Sequence, residues 1–330
     1  MALHLVDGRD DLRPAVDALR AGRLVAFPTE TVYGLGARAD DPEAIDAVYR
    51  AKGRPEDNPL IVHVIEAQLS SVVAAWPAAA RQLTRVFWPG ALTIVATRNR
   101  AFPDRVSAGR PTVAVRCPDH PVARRLIESV GPLAAPSANR SGTPSPTTAQ
   151  HVLDDLGDAI DVVVDGGPCR HGLESTVVDV TCDPPMVLRP GSIPVEDLRA
   201  VIGEIAVHPS VDDPHEGADA RAPGMRHRHY SPRAELTLLE GDATKVLAEL
   251  RAAVEADENV QGLAIAREAG HRRITAYEDA TAFGRALYAT LRALDARGVP
   301  RIVVAAPSDE ALGRTILNRL RKAATRRVVL

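Results

Sequence analysis

Two cationic side chains stand two residues apart in Lys52-Gly53-Arg54, ahead of a loop reading Pro55-Glu56-Asp57-Asn58-Pro59-Leu60. Lysine offers a compact charge and arginine a planar fork, so such a pair beside a proline-framed loop can clamp a polyphosphate. The plainer reading is that both cations neutralise the carboxyl end of a helix. Further along, Ala134-Ala135-Pro136-Ser137-Ala138-Asn139-Arg140-Ser141-Gly142 runs into Thr143-Pro144-Ser145-Pro146-Thr147. Small residues, hydroxyls and an amide at a strand end can present N–H and O–H donors to phosphate oxygens. A solvated loop, or a helix cap at Thr147, accounts for the same composition.

Four other segments carry polar groups in apolar surroundings. Pro28–Gly36 (PTETVYGLG) is rich in hydroxyls and glycine, a composition that can hold a small polar ligand or simply make a turn. Arg116 ends the apolar run Thr112–Arg116 (TVAVR). A guanidinium there is costly unless it meets a partner, and a ligand carboxylate or a structural Asp or Glu would serve equally. Ser175 in Leu173–Thr176 (LEST) reads as a site hydroxyl or an edge-strand hydroxyl. Arg189 in Leu188–Gly191 (LRPG) reads as a ligand cation or a surface residue before a turn.

Several familiar motifs are missing. There is no GxxxxGK[ST], no HExxH and no Gly-x-Ser-x-Gly. Gly34-Leu35-Gly36 begins like a dinucleotide fingerprint but lacks the third glycine. If the chain has an ATP site, it has to be built in another way.

The elements that would position these residues alternate along the chain. Strands are expected at Leu24–Phe27, Leu60–Ile65, Leu92–Thr97, Val113–Arg116, Leu133–Ala135, Asp161–Asp165, Ser175–Val180 and Met186–Leu188. Helices are expected at Pro42–Lys52 with Asp41 as cap, at Pro121–Val130, Thr147–Leu156 and Pro194–Ile202. Strands and helices mix without a strict repeat, which predicts an open, twisted α/β sheet of mixed direction. Around His208–His229 the sequence turns polar and loses apolar periodicity, as a linker does. Its length suggests a functional loop rather than a passive tether. Strands at Glu235–Leu239, Gly262–Ala266 and Arg301–Ala305 then alternate with helices at Ala243–Ala256, Ala282–Arg297 and Asp309–Ala324. That pattern predicts a smaller, Rossmann-like parallel sheet. The expected division is a catalytic domain at 1–206, a linker or lid at 207–233 and a second α/β domain at 234–330.

Composition bounds the function. The 330 residues are 45% hydrophobic and 25% charged, a globular balance with apolar material for two cores. Forty Lys and Arg against 43 Asp and Glu give a net charge of −3, without the basic excess of a dedicated nucleic-acid binder. Three cysteines without CxxC spacing argue against a disulfide framework or a zinc site. No signal peptide or membrane span is read, so a cytoplasmic, non-membrane protein is expected.

Taken in order, FPTETVYGLGA, KGRPEDNPLIVH, WPGALTIV, AVRCPDHP, APSANRSG, STVVD and LRPGSI resemble the YrdC-type threonylcarbamoyl-AMP synthase family. The resemblance spans roughly residues 10–205. Its KxR and SxN signature falls on Lys52, Arg54, Ser137 and Asn139, which it implies are catalytic. PGMRHRHYSP and a second α/β domain resemble the long, two-domain form. By position, the resemblance implies a threonine pocket of Thr31, His63, Arg116, Ala135 and Ser175, with Arg116 on the carboxylate. It implies ATP contacts from Lys52, Arg54, Asn58, Thr112, Ser137, Asn139, Ser145 and Arg189, with Tyr230 closing over the nucleotide. Arg226 and His227 depart from the common linker residues. The implied reaction joins L-threonine, bicarbonate or CO2, and ATP into threonylcarbamoyl-AMP and pyrophosphate, with Mg2+ on the ATP phosphates. The product would pass to a tRNA threonylcarbamoyl-transfer complex, with no stable nucleic-acid partner. His63 would orient threonine or accept a proton. Other readings are a related carbamoyltransferase, which would carry zinc-binding cysteine pairs, and a double-stranded RNA-binding or ribosome-assembly module.

Overall fold

The computed structural model describes residues 4–7, 11–211, 229–268 and 270–330. The chain forms two compact units. The first comprises residues 1–141 and 145–226, and the second residues 142–144 and 227–330.

The first unit opens with β1 (His4–Asp7), α1 (Arg13–Arg20), β2 (Val25–Phe27), β3 (Gly34–Arg38) and α2 (Pro42–Lys52). It continues through β4 (Ile61–His63), α3 (Leu69–Val72), α4 (Ala78–Phe87), β5 (Leu92–Thr97), β6 (Thr112–Arg116) and α5 (Pro121–Val130). Then follow β7 (Leu133–Ala134), α6 (Ala149–Leu156), β8 (Val162–Asp165), β9 (Thr176–Asp179), β10 (Met186–Arg189), α7 (Val195–Ile202) and β11 (Ala206–Val207). The strands make one eleven-stranded sheet in the order β1-β8-β2-β3-β7-β4-β6-β5-β9-β10-β11. Parallel and antiparallel pairs are mixed along it, as the sequence led us to expect.

Local chemistry explains why these elements form where they do. Asp41 caps α2 by accepting from the Glu43 and Ala44 amides, and Gly53 ends it in the left-handed conformation that glycine tolerates. The cap of α6 is Thr148 rather than Thr147. Gly34-Leu35-Gly36 is not a nucleotide turn but part of β3, antiparallel to β2. Glycine is required at residue 36 because the Phe27 ring lies across it; a Cβ there would stand 2.4 Å from that ring.

The sheet is clothed unequally. One face packs under α2, α4, α6 and α7 through Ile45, Val48, Leu83, Val152, Leu198, Val62, Ile94, Val115 and Val178. The other face is covered by α1 and α5 only over the β8-β2-β3-β7 half, through Leu19, Leu126, Val25, Phe27, Leu133 and Val164. Beyond β7, that face carries a small apolar patch of Ile61, Val95, Ala114, Val177 and Leu188.

The second unit contains β12 (Glu235–Glu240), α8 (Ala243–Ala256), β13 (Val260–Ile265), β14 (Ile274–Tyr277), α9 (Ala280–Ala296), β15 (Arg301–Ala305), α10 (Ala311–Ala323) and β16 (Arg326–Val329). Its sheet runs β14-β13-β15-β12-β16 and is parallel throughout. The step from β12 to β13 goes one way across the sheet, and the steps through α9 and α10 go the other. Right-handed crossovers therefore put α8 on one face and α9 with α10 on the opposite one. Sequence patterning missed β14 and β16 in this unit and β1, α1, β3, α3, α4 and β11 in the first. These are short edge strands, the glycine-rich central strand β3, the single-turn α3, or helices rich in alanine and arginine whose apolar stripe is thin.

Replacing Gly36 with alanine is expected to destabilise the first unit by about 1–3 kcal/mol, the usual cost of overfilling a packed core. Denaturant unfolding measures this; an unchanged midpoint would mean the Phe27 ring is free to move aside.

Candidate active site

Strand register gathers the polar residues on the half-covered face. His63 pairs with Arg116, Arg116 with Thr93, Thr93 with Val177, and Val177 with Arg189. Directly opposed residues point to the same side of a sheet. One row across β4, β6, β5, β9 and β10 thus carries His63, Arg116, Thr93 and Arg189 on the face that α1 and α5 leave uncovered. The register of β10 shifts between Val187 and Arg189. This bulge re-aims Arg189 onto the face that Leu188 already shares.

Arg116 is the electrostatic centre of the row. Its side chain is 4% exposed and that of its partner Glu30 is 1% exposed, with Arg116 Nη2 2.6 Å from Glu30 Oε1. Arg116 Nε also donates to Gly90 O at 3.1 Å. Glu30 Oε2 accepts the Asp119 amide at 3.0 Å. The partner of Arg116 is therefore a structural carboxylate from the hydroxyl-rich turn, one of the two outcomes the sequence left open. Nη1 of Arg116 makes no hydrogen bond among the described residues. That nitrogen keeps both of its N–H donors for a ligand.

His63 is buried, with its ring edge-on to Phe27 at 6.3 Å between centroids. Its Nδ1 has no partner among the described residues. Burial first, and the neighbouring Arg116 charge second, push its pKa well below 6.5. The ring is neutral at physiological pH and a poor proton acceptor, which favours an orienting role over the base role. Thr31 Oγ1 lies 2.8 Å from Thr29 Oγ1, and Thr29 Oγ1 donates to Val32 O at 2.7 Å. Ala135 is buried and donates its amide to Ile61 O at 2.9 Å, which ties the end of β7 to β4.

The second group of residues surrounds α2. Lys52 does not extend into solvent as a free cation. Its ammonium is buried and donates to the carbonyl oxygens of Ser137 and Asn139. The KxR lysine therefore braces the SxN loop from beneath, and the Ser141 amide returns a bond to Lys52 O at 2.9 Å. Arg54 fastens its own loop, donating to Asn58 O at 3.1 Å and Pro59 O at 2.9 Å. Asn58 is 3% exposed, yet neither atom of its side-chain amide has a partner among the described residues. A buried amide left in this state is costly unless a ligand meets it. Ser145 Oγ donates to Glu174 Oε1 at 2.6 Å. Thr112 begins β6 two pairs of residues before Arg116 and shares its face. Arg189 donates to Ser175 O at 2.9 Å and Ser175 Oγ at 3.2 Å.

Tyr230 belongs to the second unit. It is buried there, stacked on Tyr288 at 5.5 Å and 5.2 Å from the Arg319 guanidinium carbon, with φ of +65°. Arg226 and His227 lie outside the described residues, as does most of the expected lid. Sequence reasoning missed Glu30, Thr93 and Glu174. Each is a buried polar residue inside a recognised motif, and that inconsistency with its apolar surroundings was the available signal.

The chain is similar to known proteins along most of its length. A family profile described as Telomere recombination (Sua5, YciO and YrdC) matches residues 17–191. One described as Threonylcarbamoyl-AMP synthase, C-terminal domain, matches residues 193–325. The chain belongs to the threonylcarbamoyl-AMP synthase family. The threonylcarbamoyl-AMP synthase of Pyrococcus abyssi is 43% identical over 96% of this chain and 95% of its own length. That of Bacillus subtilis is 42% identical over 96% of this chain and 93% of its own. A crystal structure of P. abyssi Sua5 complexed with L-threonine superposes with a TM-score of 0.92 at 41% identity, covering all of both chains.

Removing Glu30 by alanine substitution leaves a buried guanidinium uncompensated. We expect a loss of about 3–5 kcal/mol in unfolding free energy. For His63, the unfolded chain takes up a proton near pH 6.5 that the folded chain resists. Stability is therefore expected to fall as the pH drops below about 6.5, and His63→Asn should flatten that slope. Urea titrations between pH 7.5 and about 5 read both the slope and its loss.

Proposed function

We propose that this chain makes threonylcarbamoyl-AMP and pyrophosphate from L-threonine, bicarbonate or CO2, and ATP. The observation that carries this reading is Arg116: a buried guanidinium, anchored on two sides and with Nη1 uncommitted, flanked by a neutral imidazole and hydroxyls. Such a group suits one small carboxylate. Thr31, His63, Ala135 and Ser175 complete the amino-acid pocket in this reading. Arg54, Asn58, Thr112, Ser137, Asn139, Ser145 and Arg189 serve the nucleotide, and Lys52 acts by holding the SxN carbonyls in place. Tyr230 is assigned to closure over the nucleotide.

The chemistry asks for positioning and charge neutralisation rather than a covalent nucleophile. The threonine amine forms a bond to the carbon of CO2 and gives up a proton, leaving a carbamate. A carbamate oxygen then bonds to the α-phosphorus and the bond to the bridging oxygen of pyrophosphate breaks. Mg2+ would arrive on the ATP phosphates; among the described residues no group of three or more His, Cys, Asp or Glu side chains could cage it. The ion supplies neutralisation of phosphate charge. Excluding water protects the carbamate from hydrolysis. The product would serve threonylcarbamoylation of tRNA by a separate transfer complex. Among the described residues no helix is long and apolar enough to cross a membrane.

Purified protein supplied with MgATP, bicarbonate and single amino acids should release pyrophosphate only when threonine and bicarbonate are both present. Release without threonine dependence would reject the reading. Arg116→Ala should raise the threonine KM by roughly 10- to 100-fold, the cost of a charge-assisted bond, with less effect on ATP. Asn58→Ala should show the opposite preference.

A further inference from the structure

Thr93 is fully buried on β5, in register with Arg116, and no ligand assignment includes it. Its hydroxyl lies 2.8 Å from Ser175 Oγ, and that is its whole set of side-chain hydrogen bonds. Ser175 Oγ also accepts from Arg189 Nη2 at 3.2 Å. A hydroxyl has two acceptor sites and one hydrogen. Arg189 can only donate, so it occupies one acceptor site of Ser175. When Thr93 donates as well, both acceptor sites are filled. The hydroxyl hydrogen of Ser175 is then the single donor of the pair without an acceptor in the protein.

We propose that Thr93 is a positioning residue that turns Ser175 into a dedicated hydrogen-bond donor, so that the pocket reads an oxygen acceptor on the substrate at that point. The proposal rests on the reading of Ser175 as a threonine-pocket residue. The acceptor it fits is a carboxylate or carbamate oxygen; an ammonium or other donor is refused, because Ser175 has no lone pair left to offer. Without Thr93, the serine hydroxyl regains an acceptor site and loses its fixed orientation. Thr93 itself need not touch the substrate.

The test is a double-mutant cycle in the full-length enzyme. Thr93→Val keeps shape and removes the hydroxyl; Thr93→Ser keeps the hydroxyl and removes a methyl group. Thr93→Val should raise the threonine KM roughly tenfold, as expected for one lost hydrogen bond to a charged group, with the ATP KM within about twofold of wild type. Thr93→Ser should restore most of that loss. Combined with Ser175→Ala, Thr93→Val should add nothing further, since it acts through the serine. Additive losses, or equal losses from Val and Ser at residue 93, would overturn the proposal and leave Thr93 a packing residue. A neutral Ser175→Ala together with a defective Thr93→Val would instead reject the assignment of Ser175. Near-UV circular dichroism on each variant separates a loss of fold from a loss of binding.

Discussion

A guanidinium buried on the inner face of a sheet is the constraint around which the first unit is organised. Moving an ion from water into a protein interior is unfavourable by several kcal/mol unless its hydrogen bonds are replaced. Here the replacement comes from three separate places in the sequence. Glu30 enters from the turn between β2 and β3, Gly90 from the loop before β5, and Asp119 ties Glu30 from beyond β6. Satisfying one charge therefore fixes three loops relative to the sheet. The hydroxyl-rich turn is held where it is because its glutamate has no better partner. The pair is also neutral as a whole, so a zwitterionic amino acid adds no net charge to the pocket.

The location of the pocket follows from incomplete coverage. The eleven-stranded sheet is packed along one face, but α1 and α5 cover only half of the other. The remaining half carries a separate buried apolar patch of Ile61, Val95, Ala114, Val177 and Leu188. The row of His63, Arg116, Thr93 and Arg189 sets buried polar groups beside that patch. Apolar walls lower the local dielectric and strengthen each polar contact made there. The same burial that strengthens Arg116 keeps His63 neutral.

The KxR and SxN signatures illustrate how an expected role changes in three dimensions. Spacing suggested that Lys52 and Arg54 form a cationic clamp on phosphate. The lysine directs two of its donors to the backbone of the loop that contains Ser137 and Asn139. A loop so braced keeps its own donors and amides in fixed positions, which is what phosphate binding by positioning requires. Asn58, less conspicuous in the sequence than its charged neighbours, has the most available buried polar group of this cluster.

The order of motifs determined the family resemblance, and the succession of strand and helix patterns determined the mixed α/β sheet and the second, parallel sheet. Helices such as Pro42–Lys52 and Pro121–Val130 were legible to the residue, because proline, an aspartate or histidine cap and a terminal glycine act locally. Short strands such as β3, β14 and β16 were not, since a strand of four or five residues is stabilised by neighbours that lie far away in the chain. The same limit applied to the site. That Arg116 needed a partner was plain from its apolar surroundings; that the partner is Glu30, 86 residues earlier, was decided by the pairing of strands. Register likewise set Thr93 beside Ser175, and a bulge in β10 turned Arg189 toward the serine. Sequence fixes which groups cannot be left alone, because that depends on each residue and its immediate surroundings. Only the tertiary structure decides which group answers which, because hydrogen bonds and ion pairs act over a few ångströms that the chain's linear order does not contain.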